Sequence, residues 1–259
     1  MIAPIAPVQT MSSERETEPA AVSLDSLRRQ DRKPGSIRSI LIPGPAGNLE
    51  AVLNYGSPDA PFAALVCHPH PVFGGNLHNK VVYAAMKALN DPKWGLGWPV
   101  LRFNFRGASL SEGVHDGEAE AGDVVAALDW LQREFHIPLV AAGFSFGAAM
   151  ILRACSSLTG TSNPRTEHLD VRALIALGLP IQASHYVYDY SVLHNLSIPK
   201  LFLSGDRDQF APRNRLTQVI ESAVEPKRLV LLPNVDHFFT GHLEPVQHAV
   251  ANWIKEQLQ

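Results

Sequence analysis

The run Leu139-Val-Ala-Ala-Gly143-Phe-Ser145-Phe-Gly147-Ala148-Ala149-Met150 joins a short apolar β-type segment to an Ala-rich helical one. The junction is Gly-x-Ser-x-Gly, the sequence form of a sharp strand-to-helix turn with a serine at its apex. A serine on such a turn has a strained backbone, and neighbours without a Cβ relieve the crowding. Gly143 and Gly147 stand where that relief is needed, and Ala148 and Ala149 let the following helix lie close to the sheet. The hydroxyl then projects above the strand ends, and the helix N-terminus directs partly positive N–H groups to where an oxyanion would form. A glycine-flanked serine in an ordinary βα loop is the competing reading. The rest of the chain decides between them.

Upstream, residues 62–67 form a continuous apolar run, the pattern of a strand buried on both faces. It leads directly into His68-Pro-His70-Pro71-Val-Phe-Gly74-Gly75. Residues 40–42 and 49–53, separated by a Pro/Gly-rich stretch, predict a β-hairpin. Val82, Met86 and Leu89 fall at helical spacing, with Asn90-Asp-Pro as a stop, and residues 100–105 predict a strand that ends at Arg106-Gly107. Residues 123–135 are amphipathic, with Val124, Leu128, Leu131 and Phe135 on one face. Beyond the elbow, 148–157 reads as helix, 158–169 as a polar loop, 171–177 and 200–204 as strands, and 213–223 as helix. A last strand at 229–232 precedes a helix presenting Val246, Val250, Trp253 and Ile254.

This alternation predicts an α/β fold, with a mostly parallel, about eight-stranded sheet and helices on both faces. Residues 37–259 contain no repeat or linker and read as one domain. Residues 1–36, rich in Pro, Ser, Glu and Arg, read as a flexible tail with a short helix near 24–29. Residues 180–198 leave room only for a small lid. Its His185-Tyr-Val-Tyr188-Asp-Tyr190 cluster either lines a pocket or packs its own aromatics over the core.

Composition narrows the function classes. The chain of 259 residues is 46% hydrophobic and 18% charged, with a net charge of −3, an ordinary globular balance that gives no reason to expect nucleic acid as a partner. No apolar run approaches the ~20 residues of a membrane span. The start of the sequence lacks the basic and apolar regions of a secretory signal. Cys67 and Cys155 both lie in apolar runs and read as buried free thiols, so a reducing, cytoplasmic setting is the expectation. Oligomeric state stays open, a homodimer included.

In parallel sheets the ligand site lies beyond the carboxyl ends of the strands. One such end carries Ser145. Another carries Gly205-Asp206-Arg207-Asp208, where a carboxylate can hold an imidazole in one tautomer. A third carries Asp236-His237, where a loop histidine can accept the serine proton. The order Ser, Asp, His is the one that accompanies this elbow. Asp236 reads as structural, because adjacent side chains do not easily face the same ring nitrogen.

From about residue 37 to the C-terminus the chain resembles the α/β-hydrolase fold, and within it small, lidless or short-lidded bacterial serine hydrolases of dienelactone-hydrolase size. The marks are His68-Pro-His-Pro-x-x-Gly-Gly75, Asn79-Lys80, Arg102-Phe-Asn-Phe-Arg-Gly107, Ser111-Glu-Gly113, Gly143-x-Ser-x-Gly147, Gly205-x-x-Asp208 and Asp236-His237. The resemblance implies Ser145 as nucleophile, His237 as base and Asp208 as orienting acid. The spacing from Gly205 and the following Pro212 fit Asp208, leaving Asp206 as a turn residue bonded to its own backbone. It also implies two oxyanion donors. Phe146 supplies one, and His70 is the candidate for the other, since Pro69 and Pro71 have no N–H. The usual motif there is His-Gly, and this chain has His-Pro.

Several of these residue types also suit other chemistry. His68 and His70 as metal ligands would need a third and fourth ligand, and only His115 and Asp116 are at hand, so no metal and no cofactor is expected. Asn104 and Arg106 can fix a substrate carboxylate or serve structure, with Arg106 tying the 111–118 loop to the sheet; structure is favoured. Cys67 reads as core. The expectation is therefore a serine-dependent carboxylic ester hydrolase acting on a small-molecule ester or thioester through an acyl-enzyme. A peptidase or amidase on the same residues, or a silent binding protein of this fold, are the rivals.

Overall fold

The computed structural model describes residues 32–158, 167–183 and 186–258. The tail assigned to 1–36, all but its last five residues, lies outside them, as do its helix near 24–29, most of the 158–169 loop and His185. Strand β1 (Ile37–Gly44) and strand β2 (Gly47–Asn54) form the expected antiparallel hairpin. Then come β3 (Ala63–Cys67), helix α1 (Lys80–Asn90), β4 (Val100–Phe103), α2 (Glu120–Phe135), β5 (Leu139–Phe144) and α3 (Phe146–Ser156). The chain continues through β6 (Val171–Leu177), a small hairpin of β7 (Gln182–Ala183) and β8 (Tyr186–Val187), β9 (Lys200–Gly205), α4 (Arg213–Glu221), β10 (Lys227–Leu232) and α5 (Leu243–Leu258).

Eight strands form one sheet in the order β1-β2-β4-β3-β5-β6-β9-β10. β1–β2 and β2–β4 pair antiparallel, and every other neighbour is parallel. A separate core lies on each face of the sheet. On one, Val81, Val82 and Leu89 of α1 pack with Val246, Val250 and Ile254 of α5. On the other, Val124, Leu128 and Leu131 of α2 join α3 residues 146–155 and Leu216 and Ile220 of α4. The apolar stripes read from helical periodicity are thus the buried faces. No described helix is long and apolar enough to cross a membrane.

Several boundaries differ from the expected ones, two of them for clear local reasons. β4 stops at Phe103 rather than 105, because the next residues bond sideways: Leu77 N–H donates to Asn104 Oδ1 at 2.7 Å and Phe105 N–H to His68 Nε2 at 2.9 Å. α2 starts three residues before Asp123, because the chain just ahead of it is already fixed: Asp116 Oδ1 accepts from the N–H groups of Glu118 at 2.8 Å and Ala119 at 2.7 Å, and buried Glu120 accepts those of Asp116 and Gly117 at 3.0 Å each. In the segment expected to form a small lid, Tyr190 is buried and donates its hydroxyl to Pro180 O at 2.5 Å, with Tyr188 stacked on it. Those two tyrosines pack on the core and, with Met150 and Arg153 of α3, also line a small cavity, so both alternatives hold for them.

Candidate functional site

The site is assembled at the carboxyl ends of β3, β5, β6, β9 and β10. Ser145 follows β5 with φ 54° and ψ −117°, a left-handed conformation that a non-glycine residue adopts only when its surroundings impose it. The surroundings here are a close approach of backbone. A Cβ on Gly143 would lie 2.4 Å from the carbonyl carbon of Gly147, and one on Gly147 would lie 2.6 Å from the carbonyl oxygens of Cys67 and His68. Ser145 N–H donates to Leu177 O of β6 at 2.9 Å, tying the turn to the neighbouring strand.

Ser145, His237 and Asp208 are brought into one chain of hydrogen bonds. Ser145 Oγ lies 3.0 Å from His237 Nε2, and His237 Nδ1 lies 2.8 Å from Asp208 Oδ2. Asp208 and His237 are buried, whereas Ser145 is part-exposed. The Asp208 carboxylate is held on both oxygens. Oδ2 also accepts from Ser204 Oγ at 3.1 Å, and Oδ1 accepts from the N–H groups of Phe210 at 2.8 Å and Ala211 at 3.1 Å. A carboxylate so fully engaged cannot rotate away from the imidazole. Asp206 faces elsewhere: its Oδ1 accepts from Asn234 N–H at 2.7 Å, joining the β9 and β10 loops rather than bonding within its own turn. Asp236 accepts from Thr240 N–H at 2.9 Å and closes a local turn.

In strand order β6 and β9 lie between β5 and β10, so the His237 loop must cross both to reach Ser145. Gly178, just after β6, makes the crossing possible. It has φ 52°, and a Cβ there would stand 3.2 Å from His237 Cε1 and 3.3 Å from Nδ1. Sequence reading missed Gly178 and Ser204; the only signal was their position directly at strand ends.

Phe146 N–H opens α3 and, like His70 N–H, has no acceptor among the described residues. The His70 ring lies 5.0 Å from the Phe146 ring and 4.6 Å from that of His115. Burial, and then His115, lower the His70 pKa. His115 Nδ1 comes within 2.6 Å of Glu120 Oε1. His68 has turned inward. Its Nδ1–H donates to Pro69 O at 2.6 Å while Nε2 accepts from Phe105 N–H, and burial lowers its pKa to about 4. Both His68 nitrogens are therefore committed to main chain, pinning the β3 loop to the end of β4. The Cys67 thiol is buried, which pushes its pKa well up.

Arg106 and Asn104 are structural, although the partner of Arg106 differs from the expected 111–118 loop. Its guanidinium grips buried Asp123 of α2, Nη2 to Oδ1 at 2.6 Å and Nε to Oδ2 at 3.0 Å, with its own N–H on Oδ2 at 3.0 Å. Asn104 donates to Glu50 Oε2 at 2.7 Å, and its carbonyl accepts from Ser111 Oγ at 2.6 Å. The partners Asp123 and Glu50 carried no sequence signal of this role.

A hydroxyl, an imidazole and a carboxylate in this series can move a proton off the serine and hold the resulting charge. Comparisons agree with the fold. Residues 82–254 match the alpha/beta hydrolase domain family. An uncharacterized protein of Rickettsia prowazekii is 34% identical over 223 residues, 82% of this chain and 86% of its own length. A lidless a/b serine hydrolase from Xanthomonas campestris is similar in structure, with a TM-score of 0.73 and 30% identity over 86% of this chain and 96% of that one. An alpha-beta serine hydrolase homologue from Coxiella burnetii gives a TM-score of 0.70 and 28% identity over 84% and 97% of the two chains. The chain belongs to the alpha/beta hydrolase family.

Proposed function

We propose that this protein is a serine hydrolase that cleaves a small carboxylic ester or thioester through an acyl-enzyme. The observation that carries the reading is the bonded series from Ser145 Oγ through His237 to Asp208, with Ser145 on a strained turn at a helix N-terminus. Ser145 Oγ attacks the carbonyl carbon while His237 Nε2 takes its proton. Asp208 stabilises the imidazolium and keeps the ring aimed at Ser145. The oxyanion lies toward the N–H groups of Phe146 and His70, neither of which has an acceptor among the described residues. His237 then protonates the leaving group, and water repeats the sequence to release the acid.

The Xanthomonas campestris serine hydrolase supports the nucleophile class. Residues 37–259 act as one domain in this reading, and two buried free thiols suit a reducing compartment such as the cytoplasm. Labelling with a fluorophosphonate followed by peptide mapping tests the proposal. An adduct is expected on Ser145, absent in Ser145→Ala and weakened in His237→Ala. No adduct on folded wild type would leave a binding protein of this fold as the better reading.

A further inference from the structure

The His237 imidazole is enclosed by protein on several sides. Asp208 meets its Nδ1 edge, Gly178 lies against Cε1, and the buried ring of Phe144 lies 5.1 Å away, centroid to centroid. Two further rings meet it edge-on: Phe210 at 4.7 Å and 68°, and Phe238 at 5.2 Å and 84°. Unlike Phe144, these two retain exposed surface; Phe238 is 44% exposed and Phe210 part-exposed. Neither side chain hydrogen-bonds Ser145, His237 or Asp208, the hold of Phe210 on Asp208 being through its main-chain N–H, and both rings present apolar surface to water beside the imidazole.

Acyl transfer gives these rings a place. As Ser145 Oγ bonds to the carbonyl carbon, its proton passes to His237 Nε2. When the bond from that carbon to the leaving oxygen or sulfur breaks, the bonding pair stays with the departing atom, which takes the proton from Nε2. The departing atom must therefore come within hydrogen-bond reach of Nε2, while the carbonyl oxygen lies toward the N–H groups of Phe146 and His70. Whatever the departing atom carries extends beside the imidazole, the ring that Phe210 and Phe238 flank.

We propose that Phe210 and Phe238, on the two loops that bear Asp208 and His237, flank the leaving-group side of Ser145 and select esters or thioesters whose alcohol or thiol is apolar and carries a ring. This rests on the acyl-enzyme reading above. Fluorophosphonate labelling of wild type tests that reading by itself, and loss of labelling removes this inference with it. With labelling in hand, kcat/KM is compared for benzyl acetate and ethyl acetate, which share one acyl group, in wild type, Phe238→Ala and Phe210→Leu. Wild type is expected to prefer the benzyl ester, with the benzyl-to-ethyl ratio falling about tenfold in Phe238→Ala and by a smaller factor in Phe210→Leu. A ratio unchanged in both variants overturns the proposal. So does turnover confined to esters dispersed as aggregates, which would assign the exposed rings to a lipid surface instead.

Discussion

Asp206 and Asp208 sit two residues apart in one turn, yet only Asp208 reaches the imidazole. Asp208→Asn keeps the shape but favours the wrong imidazole tautomer, so ester turnover should fall ~10³–10⁴-fold. Asp206→Asn should leave turnover within about threefold, since the side chain only links two loops at the protein surface. Steady-state kinetics on the two variants decides it; equal losses would refute the assignment of Asp208 as the acid. Gly178 gives a second residue-scale prediction. An alanine there adds a positive-φ penalty of about 1–2 kcal/mol and a methyl against His237. The displaced imidazole should lower kcat on the order of 10²-fold. A Gly178→Ala protein with wild-type kcat would mean the loop yields without moving the ring.

At the scale of elements, the polar residues after β4 act as a clasp between sheet and helix. Arg106 holds α2 through Asp123, and His68 holds the β3 loop through Phe105 N–H. Removing one partner of a buried ion pair strands the other charge. Asp123→Ala should therefore cost about 3 kcal/mol in urea unfolding. A cost below about 1 kcal/mol, the range of exposed pairs, would show that Arg106 finds solvent. The helical stripes and the elbow were readable because periodicity and glycine placement are local properties. The partners of Arg106 and Asn104 were not, because Asp123 and Glu50 lie on other elements, and only the folded sheet brings them near.

For the whole molecule, His68 couples stability to pH. Folded His68 stays neutral down to about pH 4, whereas the unfolded chain takes up the proton near 6.5. Protonation thus favours the unfolded state. Stability is intact above about pH 6.5 and falls as pH drops toward 4, by at most about 1.4 kcal/mol per pH unit and about 3 kcal/mol in all. His68→Gln should be less stable at pH 7 but show a flatter decline over that window. Parallel declines in wild type and variant, measured by urea unfolding, would place the sensitivity in other groups.

By itself the sequence determined the α/β class, the elements, the two buried faces and the residue types offered at each strand end. Those follow from periodicity, from glycine spacing and from the chain order of Ser145, Asp208 and His237, all of which are written along one dimension. The tertiary structure alone decided that Asp206 turns to the β10 loop, that Gly178 clears the path of the His237 loop, and that His68 is bound to main chain on both nitrogens. Those depend on strand order in the sheet, where β10 must reach over β9 and β6 to β5. Hydrogen bonds and steric contacts act over a few ångströms, so distances between residues far apart in sequence are fixed only once the strands have paired.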